Sequence, residues 1–459
     1  MAVSARYTTQ STYTLSQLRS LVFAALNLLI HDNPSLSAIV VDEDSLKPYF
    51  ARLARLNLEH TVTFVASEHL HDTTTDKWRY ELDQVLEAQH STNFKGREAD
   101  APLWRLVVLH ERREISTFCA AFVFHHSIAD GTSGMIFHQQ LCRHINSTEM
   151  QELGSSDESK VGDTVVCSPE HPLMPDLFAL HPLPITWTHF AYIIWTKIIW
   201  PTQPPASLWT SSPISYVEDD KCHVGSLSFS ASTTTKLLQA CRANHTTMQA
   251  VIECLFATAL FQKLPEDKCT ALKCGSDMSL RRWLRPELFQ GSQRADNIIG
   301  TFASQYTDIH QRRDCTVANL WDEARRLKSV IDTEIAKAGT DTPIGLLRYI
   351  RDMHSYFKDQ VGKARDESFE VSNLGRFSMD TGSSEAEPAS SDRAWKISRM
   401  IFSQSANVTG AAIVASVITG PDGCLNVALS WLESVVKEEL VQEVANEFER
   451  LVQEAAEAH

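Results

Sequence analysis

The stretch FVFHHSIADGTSG, residues 122–134, leads a strongly apolar run directly into two histidines, an aspartate and a glycine. The run is the end of residues 115–124 (ISTFCAAFVF), which are apolar on both parities and therefore predict a central strand covered on both faces. Successive strand residues point to opposite faces. The rings of His125 and His126 therefore need not share a role, since one can face packing while the other enters a cleft.

The two imidazoles allow a catalytic and a structural interpretation. Histidine has an ordinary pKa of about 6.5, which suits proton abstraction at neutral pH, and a positioned base raises a rate by roughly 10²–10⁴-fold. A single histidine at a strand end is more often a hydrogen-bonded structural residue. Adjacent strand histidines also diverge too far to share a metal ion. The combination of His125, His126, Asp130 and Gly131 nevertheless favours a general base.

Asp130 and Gly131 lie in the turn that follows the histidines. Asp130 could orient a histidine, or it could fix the turn by pairing with a distant arginine. The span from His126 to Asp130 is short, which favours the second role. Gly131 permits a backbone conformation or a close approach that a Cβ would block. Apolar residues at a spacing of four then predict a helix.

Predicted strands and helices mix on both sides of this stretch. In the N-terminal half, residues 18–31 predict a helix, and residues 36–41 and 103–109 predict strands. The C-terminal half predicts strands at 270–276, 298–306, 369–372, 413–419 and 425–431, and helices at 232–244, 248–263 and 436–455. This mixture predicts an α/β protein made of two α+β sandwiches.

Three polar stretches interrupt the pattern. Residues 146–163 predict a surface loop, residues 201–213 an extended proline-rich linker, and residues 381–392 a flexible excursion. The first two stretches border a hinge zone between two halves. We therefore divide the chain into an N-terminal half at 1–165, a linker or crossover at 166–215, and a C-terminal half at 216–459.

Size and composition set the class of protein. The chain has 459 residues, enough for two domains, and a net charge of −15, which argues against a nucleic-acid partner because phosphates attract clustered Lys and Arg. Its ten cysteines form no Cys-x-x-Cys pair, so we expect free thiols and no metal site. Residues 1–7 lack the pattern of a signal peptide, so we expect a cytoplasmic, reducing location.

Residues 185–200 (ITWTHFAYIIWTKIIW) form the most membrane-like stretch. The stretch is shorter than the roughly 20 residues that a membrane span needs, and it contains His189 and Lys197. It therefore predicts a buried or interfacial helix. Its three tryptophans leave peripheral contact with an internal membrane open, because tryptophan suits a membrane boundary.

The run FVFHHSIADGTSG resembles the His-His-x-x-x-Asp-Gly motif of the chloramphenicol acetyltransferase-like superfamily. That superfamily includes plant BAHD acyltransferases and the condensation domains of peptide synthetases. The rest of the chain is most similar to fungal alcohol acetyltransferases. The similar segments are residues 24–40 (AALNLLIHDNPSLSAIV), 102–109 (PLWRLVVL), 207–215 (SLWTSSPIS) and 369–377 (FEVSNLGRF).

The resemblance implies two similar domains that form a pseudo-dimer, with the active site in a tunnel between them. His126 matches the general base of the motif, and His125 matches its structural histidine. Asp130 matches the aspartate that pairs with an arginine, for which Arg281 is the first choice and Arg282 and Arg285 are the alternatives.

The chain lacks the Asp-Phe-Gly-Trp-Gly segment of plant members, and the run Ser372-Asn373-Leu374-Gly375 could occupy the equivalent loop. Ser372, Asn373, Gly375 and Ser416 are candidates for lining the substrate and CoA tunnel. Ser372, Asn373 and Ser416 are also candidate oxyanion donors, although a polar role in the core is open for each of them.

The resemblance implies acyl transfer from acetyl-CoA, or another acyl-CoA, to a small alcohol or a secondary-metabolite hydroxyl through a ternary complex. Acetyl-CoA would be a co-substrate, with no tightly bound cofactor. The chain has no Gly-x-Ser-x-Gly, so we expect no covalent acyl-enzyme. The alternatives are a condensation-type enzyme fed by a carrier protein, a catalytically silent binder and a metal-dependent hydrolase. A monomer is expected, because the two halves imitate a dimer interface.

Overall fold

The structure is a computed structural model that describes residues 1–71, 76–95, 101–153, 164–200, 207–289, 293–379 and 394–458. The strands in these residues are β1 (Ala2–Tyr13), β2 (Ala38–Val41), β3 (Tyr49–Arg52), β4 (Arg55–Asn57), β5 (Val62–Ser67), β6 (Trp104–Glu111), β7 (Ile115–Phe124), β8 (Val165–Cys167), β9 (Cys222–Phe229), β10 (Ala271–Ser279), β11 (Ala303–Gln311), β12 (Phe369–Arg376), β13 (Lys396–Ser403), β14 (Ile413–Thr419) and β15 (Leu425–Leu432).

The α-helices in the same residues are α1 (Leu15–Asp32), α2 (Leu58–Thr61), α3 (Lys77–His90), α4 (Gly131–Leu153), α5 (Leu177–Leu180), α6 (Trp187–Ile194), α7 (Ala231–Ala243), α8 (Met248–Lys263), α9 (Leu320–Ala336), α10 (Pro343–Leu346), α11 (Met353–Lys358) and α12 (Glu438–Glu457). Short 3₁₀ helices occur at Pro34–Ser37, Arg281–Trp283, Pro286–Leu288, Val317–Asn319 and Leu347–Tyr349, and a π-helical turn at Trp195–Ile199.

Two large sheets dominate the fold. The first has the strand order β13-β1-β7-β6-β5, and the second has the order β11-β10-β12-β14-β15-β9. Two small sheets, β2–β3 and β4–β8, accompany them. The mixture of helices with these sheets confirms the predicted α/β class.

Four strands and two helices occur in the same arrangement in both halves. In the first sheet, β5 and β6 are parallel, whereas β6–β7 and β7–β1 are antiparallel. In the second sheet, β12 and β14 are parallel, whereas β14–β15 and β15–β9 are antiparallel. Helices α1 and α4 follow β1 and β7 and pack together, and α7 and α12 do the same after β9 and β15. This repeat is the pair of similar domains that the family resemblance implies.

Strand β7 is covered on both faces, as its apolar sequence predicts. On one face, Phe118 and Phe122 join the core beneath α4, where Phe122 stacks on Phe137 with ring centroids 3.8 Å apart. On the other face, Val123 packs with Val224 and Ala428 of the second sheet's strands. The motif that follows β7 is therefore placed between the two sheets.

Strand β13 connects the halves directly. It comes late in the chain, but it pairs antiparallel with β1 at the edge of the first sheet, from Ala2 opposite Ser403 to Thr8 opposite Lys396. The division at residues 165 and 215 remains a prediction, and the first sheet includes this strand from the C-terminal part of the chain.

Helix α4 is longer than the sequence predicts. The loop predicted at residues 146–163 was wrong for its first eight residues, because the helix continues to Leu153. The side-chain amide of Asn146 donates to the Trp395 carbonyl at 3.0 Å and accepts from the Trp395 N–H at 2.8 Å. These two hydrogen bonds fix this turn of the helix against the segment that leads into β13. The remaining residues, 154–163, lie outside the described residues, as do the excursion predicted at 381–392 and residues 201–206.

The apolar stretch at 185–200 forms α6 and the π-helical turn, and it is not part of the core. No described side chain of α6 is buried, and Trp187, Trp195 and Trp200 are 78%, 56% and 69% exposed. Of the two predicted environments, the interfacial one fits this exposure. No helix in the described part of the chain is long and apolar enough to cross a membrane.

Candidate active site

The two histidines lie in a turn, not on the strand. Strand β7 ends at Phe124, and the Ile128 N–H donates to the His125 carbonyl at 3.1 Å. Strand alternation therefore does not decide where the two rings point, because it does not extend into a turn. Both residues are exposed to solvent in part, and both line one cavity of about 870 Å³ that is bordered by residues of both halves.

The backbone fixes the tautomer of His126. Nδ1 of His126 lies 3.0 Å from the Ala129 carbonyl oxygen, which can only accept, so the Nδ1–H donates. In the neutral ring, Nε2 then keeps its lone pair. The Thr301 hydroxyl also donates to the His126 carbonyl oxygen, which ties the turn to the second half of the chain. The arrangement leaves His126 able to accept a proton.

His125 is held in a different way. The Ser127 N–H donates to Nδ1 of His125 at 3.2 Å, and the ring meets Phe94 edge-on with centroids 5.9 Å apart. Partial burial, and then nearby positive charge that includes His126, lowers the pKa of His125. This ring is therefore neutral at physiological pH and forms part of the cavity wall.

Asp130 forms a buried ion pair with Arg281. Nη2 of Arg281 donates to Oδ1 of Asp130 at 2.9 Å, and the side chains are 8% and 5% exposed. Asp130 also accepts from the N–H of Ser133 at 2.7 Å, which caps α4, and from the N–H of Phe302 at 3.0 Å. Burial alone would raise the pKa of Asp130, but Arg281 and these N–H groups outweigh it and hold the pKa below its usual value.

The same arginine fixes the loop that faces the motif. Nη1 of Arg281 donates to the carbonyls of Ala295 and Ile298 at 2.6 and 2.9 Å, and its guanidinium lies over the Phe302 ring at 4.6 Å. The strand predicted at 298–306 starts only at Ala303, because the preceding backbone bonds to the Asp130 network instead of to a sheet. The other candidate partners, Arg282 and Arg285, are exposed.

Gly131 allows a close approach. A Cβ at this position would lie 2.4 Å from Cδ2 of Leu374, so any larger residue would require Leu374 to move. Leu374 belongs to the Ser-Asn-Leu-Gly run, and its side chain packs against the core of the first half. The glycine therefore brings that run against the start of α4.

The four tunnel candidates are not among the residues that line the cavity. Ser372 and Ser416 are buried opposite each other on β12 and β14, and Oγ of Ser416 has no hydrogen-bond partner among the described residues. Oδ1 of Asn373 accepts from the Gly375 N–H at 2.8 Å, and Gly375 has a φ of 75°. Their roles in substrate binding stay predictions.

Two carboxyl groups in the cavity wall, Asp277 and Glu370, were not predicted from the sequence. Burial raises the pKa of Asp277, and the Ser372 hydroxyl partly opposes this by hydrogen bonding to the carboxylate. Burial also raises the pKa of Glu370, and the neighbouring Asp277 raises it further. The sequence offered one signal for them. Asp277 directly follows the strand predicted at 270–276, and Glu370 lies inside the strand predicted at 369–372.

A second buried polar cluster lies in the core of the C-terminal half. Sγ of Cys254, a ring nitrogen of His310 and a carboxylate oxygen of Glu323 lie within 4.8 Å of one another, a spacing that a metal ion could bridge. Both ring nitrogens of His310 already face carboxylates, Glu253 at 3.0 Å and Glu323 at 3.3 Å. Arg326 donates to Glu323 as well. These contacts fit an ion-pair network better than a metal site.

The sequence matches a known protein family over nearly its whole length. The profile of the alcohol acetyltransferase family matches residues 7–453. A probable alcohol acetyltransferase of Aspergillus fumigatus, crmB, is 30% identical over 454 residues that cover 95% of this chain and 90% of that protein. A probable alcohol acetyltransferase of Fusarium pseudograminearum, FCK4, is 24% identical over 427 residues, which cover 91% of this chain and 82% of that protein.

Solved structures share the fold over the whole chain. The TRI3 trichothecene 15-O-acetyltransferase of Fusarium sporotrichioides is 12% identical and superimposes with a TM-score of 0.66, covering 99% of this chain and 91% of that one. The epimerization domain from the third module of tyrocidine synthetase B is 15% identical, with a TM-score of 0.58 and coverage of 99% and 91%. At these identities the similarity shows the fold alone.

The match to the family profile spans nearly all of the chain, and the motif that it contains lies at the cavity between two similar domains. The chain belongs to the alcohol acetyltransferase family, and it is an acyltransferase that moves an acyl group from a donor to a small-molecule alcohol.

Proposed function

We propose that the chain is an acetyl-CoA-dependent O-acetyltransferase in which Nε2 of His126 accepts the proton of the acceptor hydroxyl. The observation that supports this role is the hydrogen bond from Nδ1 of His126 to the Ala129 carbonyl. It leaves Nε2 unprotonated in the neutral ring of a residue that lines the cavity. Acetyl-CoA acts as a co-substrate, and the proposal needs no tightly bound cofactor.

The proposed reaction is direct transfer in a ternary complex. The acceptor O–H proton moves to Nε2 of His126 while the oxygen attacks the thioester carbonyl carbon. The tetrahedral intermediate then collapses, the C–S bond breaks, and the imidazolium returns its proton to the thiolate. The products are the acetyl ester and free CoA, and His126 is regenerated. Holding both substrates in one site contributes a large part of the acceleration.

The acceptor class that we propose is the hydroxyl group of a small alcohol or secondary metabolite. The cavity of about 870 Å³ has room for an acceptor larger than ethanol. The neighbouring fold of a trichothecene 15-O-acetyltransferase supports an acceptor of that kind.

The test is thiol release from acetyl-CoA across a panel of primary and secondary alcohols, with the ester product identified by mass. We expect release that depends on the acceptor and falls by roughly 10²–10⁴-fold in His126→Ala. Thermal melting of the variant controls for folding. Release that does not need an acceptor would contradict acyl transfer to an alcohol, and equal rates in both proteins would contradict the assignment of the base.

We also propose that the protein is a cytoplasmic monomer that binds membranes peripherally through α6 and the π-helical turn. The exposed Trp195, Ile199 and Trp200 support the membrane contact, because aromatic side chains favour the boundary between lipid and water. The net charge of −15 disfavours an anionic surface, so we expect binding to zwitterionic lipid.

Flotation with phosphatidylcholine vesicles tests this contact. We expect wild-type protein to float with the vesicles and a Trp195→Ser/Trp200→Ser variant to stay behind. Leu46, which is 68% exposed elsewhere, provides the control Leu46→Ser. Wild-type protein that fails to float would contradict the membrane contact, and a dimer mass in light scattering would contradict the monomer.

A further inference from the structure

The second sheet carries a row of polar side chains across neighbouring strands. Asp277 on β10 lies opposite Gln305 on β11, and Ser372 on β12 lies opposite Ser416 on β14. Strands β10 and β12 pair in parallel, with Ser276 opposite Val371, and this pairing brings the two pairs side by side. Glu370 lies on the same face as Ser372, because side chains two positions apart on a strand share a face. Acidic and polar groups are thus concentrated on one side of this sheet.

Three members of this face, Asp277, Gln305 and Glu370, line the cavity that also contains His126. Among the described residues, neither carboxyl group lies within 4.0 Å of a lysine or arginine nitrogen, and Glu370 has one amide partner, Nε2 of Gln404 at 3.1 Å. Ser304 lines the same cavity, is only 4% exposed, and its Oγ has no partner among the described residues. The base therefore shares its cavity with two carboxyl groups that have no lysine or arginine partner among the described residues.

The cavity as a whole has an acidic lining. Glu218, Asp219 and Asp220 add three more carboxylates, and no lysine or arginine side chain is part of the described lining. The amino group of Met1 also lies there, but burial lowers its pKa to about 5, so it carries little charge at neutral pH. Such a surface repels the phosphates of CoA, which favours the acceptor as the occupant of this side of the site.

Buried carboxyl groups without a counter-ion are costly for the empty protein. Removing an ionised carboxylate from water is unfavourable unless a partner compensates for it. Burial raises the pKa of both groups, and Asp277 raises the pKa of Glu370 further, so the site disfavours ionisation of both. A cationic ligand would supply the missing counter-charge.

We propose that Asp277 and Glu370 form an acceptor subsite for a protonated or quaternary amine, so that the preferred acceptor is an alcohol that also carries a cationic nitrogen. This inference rests on the proposed function, because it concerns the acceptor side of the same cavity. An ammonium group held by these carboxylates has no free lone pair and cannot attack the thioester. Transfer is therefore directed to the hydroxyl, whose proton His126 accepts.

The experiment compares pairs of alcohols of equal shape. The first pair is 3-dimethylaminopropan-1-ol, which is cationic at neutral pH, with the neutral 4-methylpentan-1-ol. The second pair is 3-trimethylammoniopropan-1-ol, whose charge does not depend on pH, with 4,4-dimethylpentan-1-ol. We expect kcat/KM for the cationic members to exceed that of the neutral members by at least about tenfold. In Asp277→Asn/Glu370→Gln the ratio should fall to about one, with the KM for acetyl-CoA unchanged.

Glu367 provides a matched control. It is a largely buried carboxyl group with its pKa raised to about 7 by burial, and it does not line the cavity. Glu367→Gln should therefore retain the preference for the cationic alcohols. This control separates a local contact from a general change in the charge of the sheet.

The outcomes separate the inference from the proposed function. Equal kcat/KM within each pair, a cationic preference that survives in the double variant, or a changed KM for acetyl-CoA alone would overturn the subsite. Loss of CoA release with all four alcohols would instead concern the proposed function. In that case, calorimetric titration with 3-trimethylammoniopropan-1-ol still decides the inference, because binding to wild type but not to the double variant is expected, and equal binding would overturn it.

Discussion

The turns that follow β7 and β15 occupy equivalent places in the two repeats, and they differ in chemistry. After β7, the chain places His125 and His126 at the cavity before α4 begins. After β15, Ser434 bonds to Asp220 through its N–H at 3.2 Å and through its hydroxyl, and α12 follows. The second turn contains no histidine. Its Ser434 holds the segment around Asp220, which leads into β9.

This difference shows that the repeat supplies the scaffold, whereas a few residues of one repeat supply the chemistry. Both turns connect a buried strand to a helix that packs on its own sheet. Only the first is tied to the opposite half by a buried ion pair, through Asp130 and Arg281. Changes in the first turn should therefore affect catalysis or the union of the halves, and changes in the second should affect stability alone.

The largest effect on stability is expected from breaking that ion pair. Arg281→Ala leaves Asp130 buried without its partner, which should cost about 3–5 kcal/mol of unfolding free energy. Denaturation by urea measures the loss. Arg285→Ala, at an exposed position, is the control and should change stability by no more than about 0.5 kcal/mol. A small loss in Arg281→Ala would show that the halves do not depend on this contact.

A smaller effect is expected in the second turn. Ser434→Ala removes a hydroxyl that donates to the carboxylate of Asp220, and it should lower the unfolding free energy by about 1 kcal/mol. The value of kcat should stay within about twofold of wild type, because the turn holds no reacting group. A large loss of kcat without a loss of stability would mean that the second turn takes part in catalysis.

The smallest effect concerns the pH dependence of stability. Burial alone would lower the pKa of His310, but hydrogen bonds with Cys315, Glu253 and Glu323 raise it well above its usual value. A raised pKa in the folded state contributes stability that is fully present below about pH 6.5 and is lost as the pH rises through the raised pKa.

The unfolding free energy of wild type should therefore fall between pH 6 and the alkaline range more than that of His310→Gln. Urea denaturation at several pH values checks this expectation, and kcat at one fixed pH serves as the control. Identical pH dependence in the two proteins would exclude His310 as the titrating group.

The sequence was informative where one strand carries its own pattern. The bounds of β7 and its cover on both faces follow from residues 115–124 alone, and the family resemblance pointed to the two-domain fold. Arg281 was the first of three candidates, but only the folded chain shows that its guanidinium reaches Asp130 while Arg285 is exposed.

Other features depend on contacts between distant segments. The cavity carboxyls Asp277 and Glu370 come together because β10 and β12 pair in parallel, and no local pattern predicts that pairing. The pairing of β13 with β1, at the edge of the first sheet, was not predicted for the same reason. The repeat cannot be read from the amino-acid sequence, because what the two halves share is the order and direction of their strands. Strand alternation could not place the two histidine rings, because β7 ends at Phe124, before both of them.

The most direct test of the central claim compares the two adjacent histidines at saturating acetyl-CoA with one acceptor. We expect kcat to fall by roughly 10²–10⁴-fold in His126→Ala, and by much less in His125→Ala, with both variants folded. A larger loss in His125→Ala than in His126→Ala would contradict the assignment of the base.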